Sequence, residues 1–108
     1  MSDPVIDRIR QEIEGHKVVI FMKGTPDFPM CGFSAAAVDA LRKAGATSVH
    51  GIDVLADPEV REGVKRFSNW PTLPQIYIAG EFVGGADIVR ELQSKGELRS
   101  KIEAAERA

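Results

Sequence analysis

The feature of this sequence that most constrains its fold is an apolar run followed by a loop and then a helix-forming run. Val18–Met22 is wholly apolar and begins with β-branched residues, which predicts a short buried strand. Ala35–Ala44 is rich in strong helix formers and is followed by Gly45, which predicts a helix with a glycine stop. Residues 23–34 between them contain two glycines and two prolines, so they are expected to form a loop.

The only cysteine of the chain, Cys31, lies where this loop gives way to the helix. Backbone N–H groups at a helix start have no intrahelical partner, and the helix dipole there favours negative charge. Lys23, at the end of the strand, is a possible cationic neighbour. We therefore predict a thiol that ionises more readily than free cysteine. The alternative is a buried structural cysteine, and we favour the reactive thiol.

The rest of the chain divides into further helices and strands. Before the thiol segment, a helix is predicted from Asp3-Pro4 to Gly15. After it, the sequence predicts a strand over 48–54, a helix that begins at Asp57-Pro58, and two strands over 75–78 and 81–83 that are joined by Ala79-Gly80. A helix then follows Gly84-Gly85 and ends at Gly96, and a last amphipathic helix completes the order. Strands joined through a helix are parallel, whereas a hairpin adds antiparallel strands. The prediction is one α/β domain over 1–108, with a mixed four-stranded sheet and helices on both faces. Ligands of such sheets collect at the carboxyl ends of the parallel strands, where Cys31 lies.

Composition excludes several classes of function. The 108 residues carry 14 basic and 16 acidic side chains, intermixed, with a net charge of −2; without a basic stripe, nucleic acid is not an expected partner. No apolar run approaches the roughly 18–20 residues of a membrane span, so no membrane association is expected. Residues 1–4 lack a basic-then-apolar leader pattern. A single cysteine forms no internal disulfide, which favours a reducing compartment and predicts a cytoplasmic protein.

Two other segments have a functional and a plain structural interpretation. Thr72-Leu73-Pro74 lies directly before a predicted strand. A cis bond at Pro74 would turn the backbone of Leu73 outward to pair with an extended peptide; an ordinary proline turn is equally compatible. Gly84-Gly85-Ala86-Asp87 precedes a helix, whose start can bind a carboxylate. Asp87 would then cap the helix and receive an ammonium group, or the segment is only a helix cap.

The remaining polar and aromatic candidates are weaker. Arg61 is predicted in the first turns of a helix and could hold a carboxylate through its bidentate fork, although a solvated arginine is the commoner case. His16 and His50 show no metal-ligand spacing and are interpreted as non-catalytic. Three aromatic residues are expected to pack rather than to stack on a cofactor: Phe33, Phe67 and Trp70. Of these, Phe33 lies beside the thiol and is expected to be partly exposed.

Four motifs occur in a fixed order along nearly the whole chain. They are Met22-Lys23-Gly24-Thr25-Pro26, Cys31-Gly32-Phe33-Ser34, Trp70-Pro71-Thr72-Leu73-Pro74-Gln75 and Gly84-Gly85-Ala86-Asp87. Together these motifs resemble those of the monothiol glutaredoxins of the CGFS class, of the glutaredoxin-4 and glutaredoxin-5 type. The resemblance covers about residues 9–98.

The resemblance implies a thioredoxin-like fold and a glutathione site. By that analogy, Lys23 and Arg61 contact the glycyl carboxylate of glutathione, and the backbone of Leu73 pairs with the cysteinyl part. Ala86 and Asp87 bind the γ-glutamyl end. Many members of the class carry a second cysteine at the position of Ala86, so any role of that second thiol is expected to be missing here, while the backbone contact is retained.

The resemblance also implies a cluster carrier, with Cys31 as the active cysteine and metal ligand. A 2Fe–2S cluster takes four thiolates, so two chains and two glutathiones would share one cluster in a homodimer. Apo iron–sulfur proteins and BolA-like proteins would be partners. The alternative is a glutathione-dependent thiol–disulfide oxidoreductase that removes glutathione from mixed disulfides. In a C-x-x-C motif that begins at Cys31, the second cysteine would stand at position 34, where this chain has Ser34. A dithiol mechanism is therefore excluded, and whether the chain is an enzyme stays open.

Overall fold

The structure, a computed structural model, describes residues 3–108. Within these residues, five helices and four strands follow one another in the predicted order. In chain order they are α1 (Pro4–Gly15), β1 (Val18–Met22), α2 (Gly32–Lys43), β2 (His50–Asp53), α3 (Pro58–Ser68), β3 (Gln75–Ile78), β4 (Glu81–Gly84), α4 (Ala86–Ser94) and α5 (Glu97–Arg107).

The strands form one sheet in the order β2-β1-β3-β4. β1 and β2 are parallel, whereas β3 is antiparallel to both β1 and β4. The predicted mixed four-stranded sheet is therefore confirmed. The second strand is shorter than the predicted 48–54 because its ladder begins where His50 pairs with Val19 and ends where Asp53 pairs with Met22. Val54 still donates its N–H to the Met22 carbonyl at 2.8 Å.

Helices cover both faces of the sheet, as predicted. Every residue of β1 is buried, which is why this strand is apolar throughout rather than alternating. Val19 and Phe21 face the layer formed by α1 and α3, whereas Ile20 and Met22 face the layer formed by α2, α4 and α5. β1 is thus the central strand that positions whatever follows its carboxyl end.

The starts of α1 and α3 follow the sequence signals closely, whereas the start of α2 does not. Asp3 accepts the N–H of Val5 at 3.0 Å at the start of α1, and Asp57 accepts the N–H of Val60 at 3.2 Å at the start of α3. α2 begins at Gly32 rather than at Ala35. The helix-forming composition of Ala35–Ala44 marks only the interior of α2, because the first turn is fixed by the extended residue before it.

No helix within residues 3–108 is long and apolar enough to cross a membrane. Residues 1 and 2, on which part of the leader prediction depends, lie outside the described residues.

Candidate functional site

Cys31 is the N-cap residue of α2 and lies beyond the carboxyl end of β1. Its backbone is extended, with φ −155° and ψ 138°, and its side chain is half-buried. The backbone N–H of Ser34 is the main cause that lowers the pKa of the thiol; the N–H of Phe33 and the charge of Lys23 act in the same direction, while partial burial opposes them. The predicted helix-start position and lowered thiol pKa are confirmed.

The loop that carries the thiol is closed by its own backbone. Thr25 and Phe28 exchange backbone hydrogen bonds of 3.2 and 3.1 Å, and the N–H of Met30 donates to the carbonyl of Lys23 at 2.9 Å. Gly24 has φ +90°, and a Cβ atom there would lie 2.5 Å from the Phe28 carbonyl oxygen. Only glycine fits this position, because it tolerates both the left-handed backbone and the close approach.

Two side chains that the sequence analysis did not assign to the site anchor this loop. Ser34 is fully buried, and its Oγ accepts the backbone N–H of Lys23 at 3.2 Å. Asp53, at the end of β2, accepts the N–H of Gly24 at 3.0 Å and that of Leu55 at 2.9 Å. The sequence signal for Ser34 was a small polar residue in the first turn of an apolar helix; for Asp53 it was a carboxylate at a strand end.

A half-open groove of about 290 Å³ lies beside the thiol segment. Residues from α2, the proline loop and the start of α4 line it: Phe33, Trp70, Thr72, Leu73, Pro74, Gly85, Ala86, Asp87 and Ile88. The peptide bond between Leu73 and Pro74 is cis, so of the two interpretations of this segment the cis one is confirmed. Gln75 is fully buried and donates from Nε2 to the carbonyls of Trp70 and Thr72, at 3.1 and 3.3 Å, which fixes the proline loop.

The other wall of the groove is the start of α4. Gly85 is the N-cap residue, and no side chain within residues 3–108 caps this helix. The prediction that Asp87 caps α4 is therefore wrong: Asp87 lies inside the first turn and is exposed. α4 begins at Ala86, directly after Gly84-Gly85 as predicted, and Gly84, with φ +145°, turns the chain sharply after β4. The first-turn N–H groups of α4 stay available to a ligand in the groove.

The structure brings the predicted binding residues together only in part. Leu73, Ala86 and Asp87 line the groove, whereas Lys23 and Arg61 do not. Both cations are half-buried, and neither forms an ion pair with any residue from 3 to 108. Lys23 is close enough to the thiol to lower its pKa, and Arg61 lies in the first turns of α3, as predicted.

The surface around the thiol is apolar. Phe28, Met30 and Phe33 are 78%, 70% and 60% exposed, and we call these three residues the thiol rim. Phe33, in the first turn of α2, is partly exposed, as expected for the aromatic residue beside the thiol, and it lines the groove. Phe67 does pack, against the ring of Tyr77 at a centroid distance of 6.2 Å.

Fold and site together define a thioredoxin-like protein with a single activated thiol beside a groove. A sequence profile described as Glutaredoxin matches residues 18–83. A Synechocystis protein named "uncharacterized monothiol glutaredoxin ycf64-like" is 51% identical, covering 91% of each chain. Mitochondrial monothiol glutaredoxin-5 of Saccharomyces cerevisiae is 44% identical, over 98% of this chain and 72% of its own. The chain belongs to the glutaredoxin family, in its monothiol class.

Longer relatives and solved structures agree with this assignment. Rice monothiol glutaredoxin-S11 is 52% identical over 89% of this chain, but the chain spans only 19% of that protein's length. The solution structure of reduced poplar apo GrxS14 is 43% identical and has a TM-score of 0.82, covering 94% of this chain and 93% of its own. A buckwheat glutaredoxin–glutathione complex, at 19% identity over 94% and 90% of the two chains, has a TM-score of 0.83 and supports the fold alone.

Proposed function

We propose that this protein binds glutathione and carries a 2Fe–2S cluster, which two copies hold between their Cys31 thiolates and two glutathione thiols. The observation that carries the proposal is the position of the one thiol. Cys31 is the only cysteine, it is activated by helix-start amides, and it is flanked by a groove and an apolar rim. A 2Fe–2S cluster takes four thiolates, so one chain supplies one ligand and must borrow the others.

Glutathione is the borrowed thiol that this surface suits. It is a peptide with two carboxylates and one ammonium group. The uncapped start of α4 supplies a positive partner for a carboxylate, as do Lys23 and Arg61, which form no ion pair within residues 3–108. Asp87 supplies a negative partner for the ammonium group. The backbone of Leu73 lies at the groove for pairing with an extended peptide. A related glutaredoxin, that of buckwheat, has been solved as a glutathione complex.

The thiol rim supports assembly of two copies around the cluster. Large apolar side chains that are exposed beside a functional group commonly mark an interaction surface. Phe28 and Met30 extend into solvent next to Cys31, where a second copy would cover them. Because two of the four sulfur ligands would be small molecules that can dissociate, the cluster would be suited to delivery to apo iron–sulfur proteins, with BolA-like proteins as further partners.

Anaerobic reconstitution tests the proposal. With iron, sulfide and glutathione, we expect a visible chromophore and, by native mass spectrometry, a dimer with one cluster and two glutathiones. Leaving out glutathione should abolish the chromophore, and Cys31→Ser should abolish it while the far-ultraviolet circular dichroism stays unchanged. A stable chromophore without glutathione, a monomeric holo-protein, or a chromophore on Cys31→Ser would each overturn the proposal.

A second function is favoured by the lowered pKa of Cys31. As a glutathione-dependent oxidoreductase, the Cys31 thiolate would attack the glutathione sulfur of a mixed disulfide and release the substrate as a thiol. A second glutathione thiolate would then attack the Cys31–glutathione disulfide, forming oxidised glutathione and regenerating the Cys31 thiolate. Rapid turnover of a small glutathione mixed disulfide would favour this enzyme, whereas negligible turnover would favour the cluster carrier.

Both functions need a reduced thiol, and we propose the cytoplasm as the location.

A further inference from the structure

The structure forms a cluster of potential metal ligands that the sequence analysis did not anticipate. Glu12, His16 and His50 each place one ligand atom within 4.8 Å of the other two. The sequence spacing of the two histidines gave no sign of a metal site, but the fold brings them together: their rings stack with centroids 3.5 Å apart and an interplanar angle of 11°. We call these three residues the His–Glu cluster.

Two distant parts of the chain build this cluster. Glu12 lies in the last turn of α1, and His16 is the extended C-cap residue that directly follows Gly15. His50 is the first residue of β2, the edge strand of the sheet. The His50 Nε2 and a Glu12 carboxylate oxygen are joined by a hydrogen bond of 2.5 Å. The cluster therefore joins the end of α1 to the start of the edge strand.

We propose that the His–Glu cluster binds a borderline divalent transition metal ion, represented by Zn²⁺. Two imidazole nitrogens and one carboxylate oxygen are a ligand set that Zn²⁺ accepts, with water in the fourth position. Hard cations such as Mg²⁺ and Ca²⁺ prefer oxygen ligands only. The metal ion would take the place of the hydrogen bond between His50 and Glu12, since a ligand atom must be deprotonated to coordinate.

The local geometry leaves room for an ion and the side-chain movement that it requires. Zinc–ligand distances of about 2.0–2.2 Å place two donors roughly 3–4 Å apart. The His50 nitrogen and the Glu12 oxygen, now 2.5 Å apart, therefore need to separate by about 1 Å, while the His16 nitrogen, within 4.8 Å of both, stays where it is or moves closer. His16 is exposed and Glu12 is only half-buried, so rotation of their side chains allows these movements. An open cleft of about 330 Å³, lined by both histidines, gives an ion and its water access from solvent.

The charges around the cluster favour a cation. Glu106 borders the same cleft, and hydrogen bonds from the hydroxyl and N–H of Thr47 lower the pKa of its carboxyl group, which keeps it negative. Lys17 also borders the cleft, but its ammonium group is held by the carbonyl of Ala108 at 2.6 Å. Lys17 keeps its positive charge and acts on Glu106, but the carboxylates of Glu106 at the cleft and Glu12 in the cluster outnumber this one ammonium group.

The cluster is separate from the thiol site. His50 pairs with Val19 near the amino end of β1, whereas Cys31 follows its carboxyl end. The two sites are therefore separated by the length of a strand, on the order of 15 Å. Metal binding at the His–Glu cluster is independent of whether the thiol carries an iron–sulfur cluster, and it can be measured in a chain that has no thiol.

The test is calorimetric titration of Zn²⁺ into full-length, untagged Cys31→Ser protein without glutathione. We expect one equivalent to bind. His16→Ala and Glu12→Gln should each weaken binding by at least the ten- to hundredfold that loss of a metal-site partner commonly costs. Glu14→Gln removes an exposed carboxylate from the same helix outside the cluster and should leave the affinity unchanged.

Thermal unfolding supplies a second readout that does not depend on the calorimetric model. Excess Zn²⁺ should raise the melting temperature of the Cys31→Ser protein by about 5 °C or more, because an ion that binds only the folded state stabilises it. EDTA should reverse the rise, and His16→Ala, at an exposed position, should abolish it. No binding to the Cys31→Ser protein, or equal binding by the His16→Ala, Glu12→Gln and Glu14→Gln variants, would overturn the proposal.

Discussion

The hydroxyl of Ser34 accepts the backbone N–H of Lys23 at 3.2 Å. This bond joins the first turn of α2 to the end of β1, on either side of the thiol loop. The same serine presents its own backbone N–H to the Cys31 thiol, where it is the largest cause of the lowered pKa. One residue therefore holds the loop closed through its side chain and activates the thiol through its backbone.

Replacing Ser34 by alanine should destabilise the protein. The substitution leaves the N–H of Lys23 without its partner in a partly buried place, which costs about 1–3 kcal/mol. Urea unfolding would give the change in the free energy of unfolding. Ser48→Ala, at an exposed serine without such a bond, should change it by less than about 0.5 kcal/mol. Equal effects of the two substitutions would contradict the anchoring role.

Replacing Lys23 by alanine should raise the pKa of the Cys31 thiol. The positive charge of Lys23 lowers that pKa, so without it a smaller fraction is thiolate at pH 7. We expect iodoacetamide to alkylate the variant about two- to fivefold more slowly at pH 7, with the midpoint of the pH–rate profile displaced upward. Lys43→Ala, at the other end of α2, is the control; a midpoint that moves equally there would argue against a local charge effect.

Replacing Gly24 by alanine should disrupt the thiol loop. The new Cβ atom would lie 2.5 Å from the Phe28 carbonyl oxygen, at a φ of +90°. A clash with backbone at a left-handed residue should cost more than about 2 kcal/mol in unfolding free energy. Gly15→Ala is the matched control, because nothing lies within 4 Å of its added Cβ atom. A Gly24→Ala protein as stable as the control would refute this account of the loop.

If Lys23 and Arg61 both bind a carboxylate of glutathione, replacing either residue by alanine should weaken glutathione binding. A charge-assisted hydrogen bond typically contributes about 1.5–3 kcal/mol, so calorimetry should show a loss of roughly tenfold or more in affinity. Arg42→Ala offers a control, since Arg42 is already paired with Asp27 at 2.9 Å. Unchanged affinity in both the Lys23 and the Arg61 variants would remove the assignment of carboxylate partners.

Local sequence signals predicted most of the fold. The Asp-Pro pairs start α1 and α3, the apolar run 18–22 forms the central strand, and Ala79-Gly80 turns the hairpin. These signals succeed because caps, turns and buried strands depend on neighbouring residues. The first turn of α2 and the cap of α4 were misplaced, because the composition of a helix interior does not fix where its first turn begins.

The sequence by itself determined that one thiol would follow the central strand at a helix start, because strand, loop and helix there are set by adjacent residues. Only the tertiary structure decided which side chains anchor the thiol loop and which distant residues meet elsewhere in the molecule. Gly24 is anchored by Asp53, 29 positions away, and His50 meets Glu12 across 38 positions. Such pairs arise when the packed sheet and helices bring distant segments together, and local propensity carries no information about them.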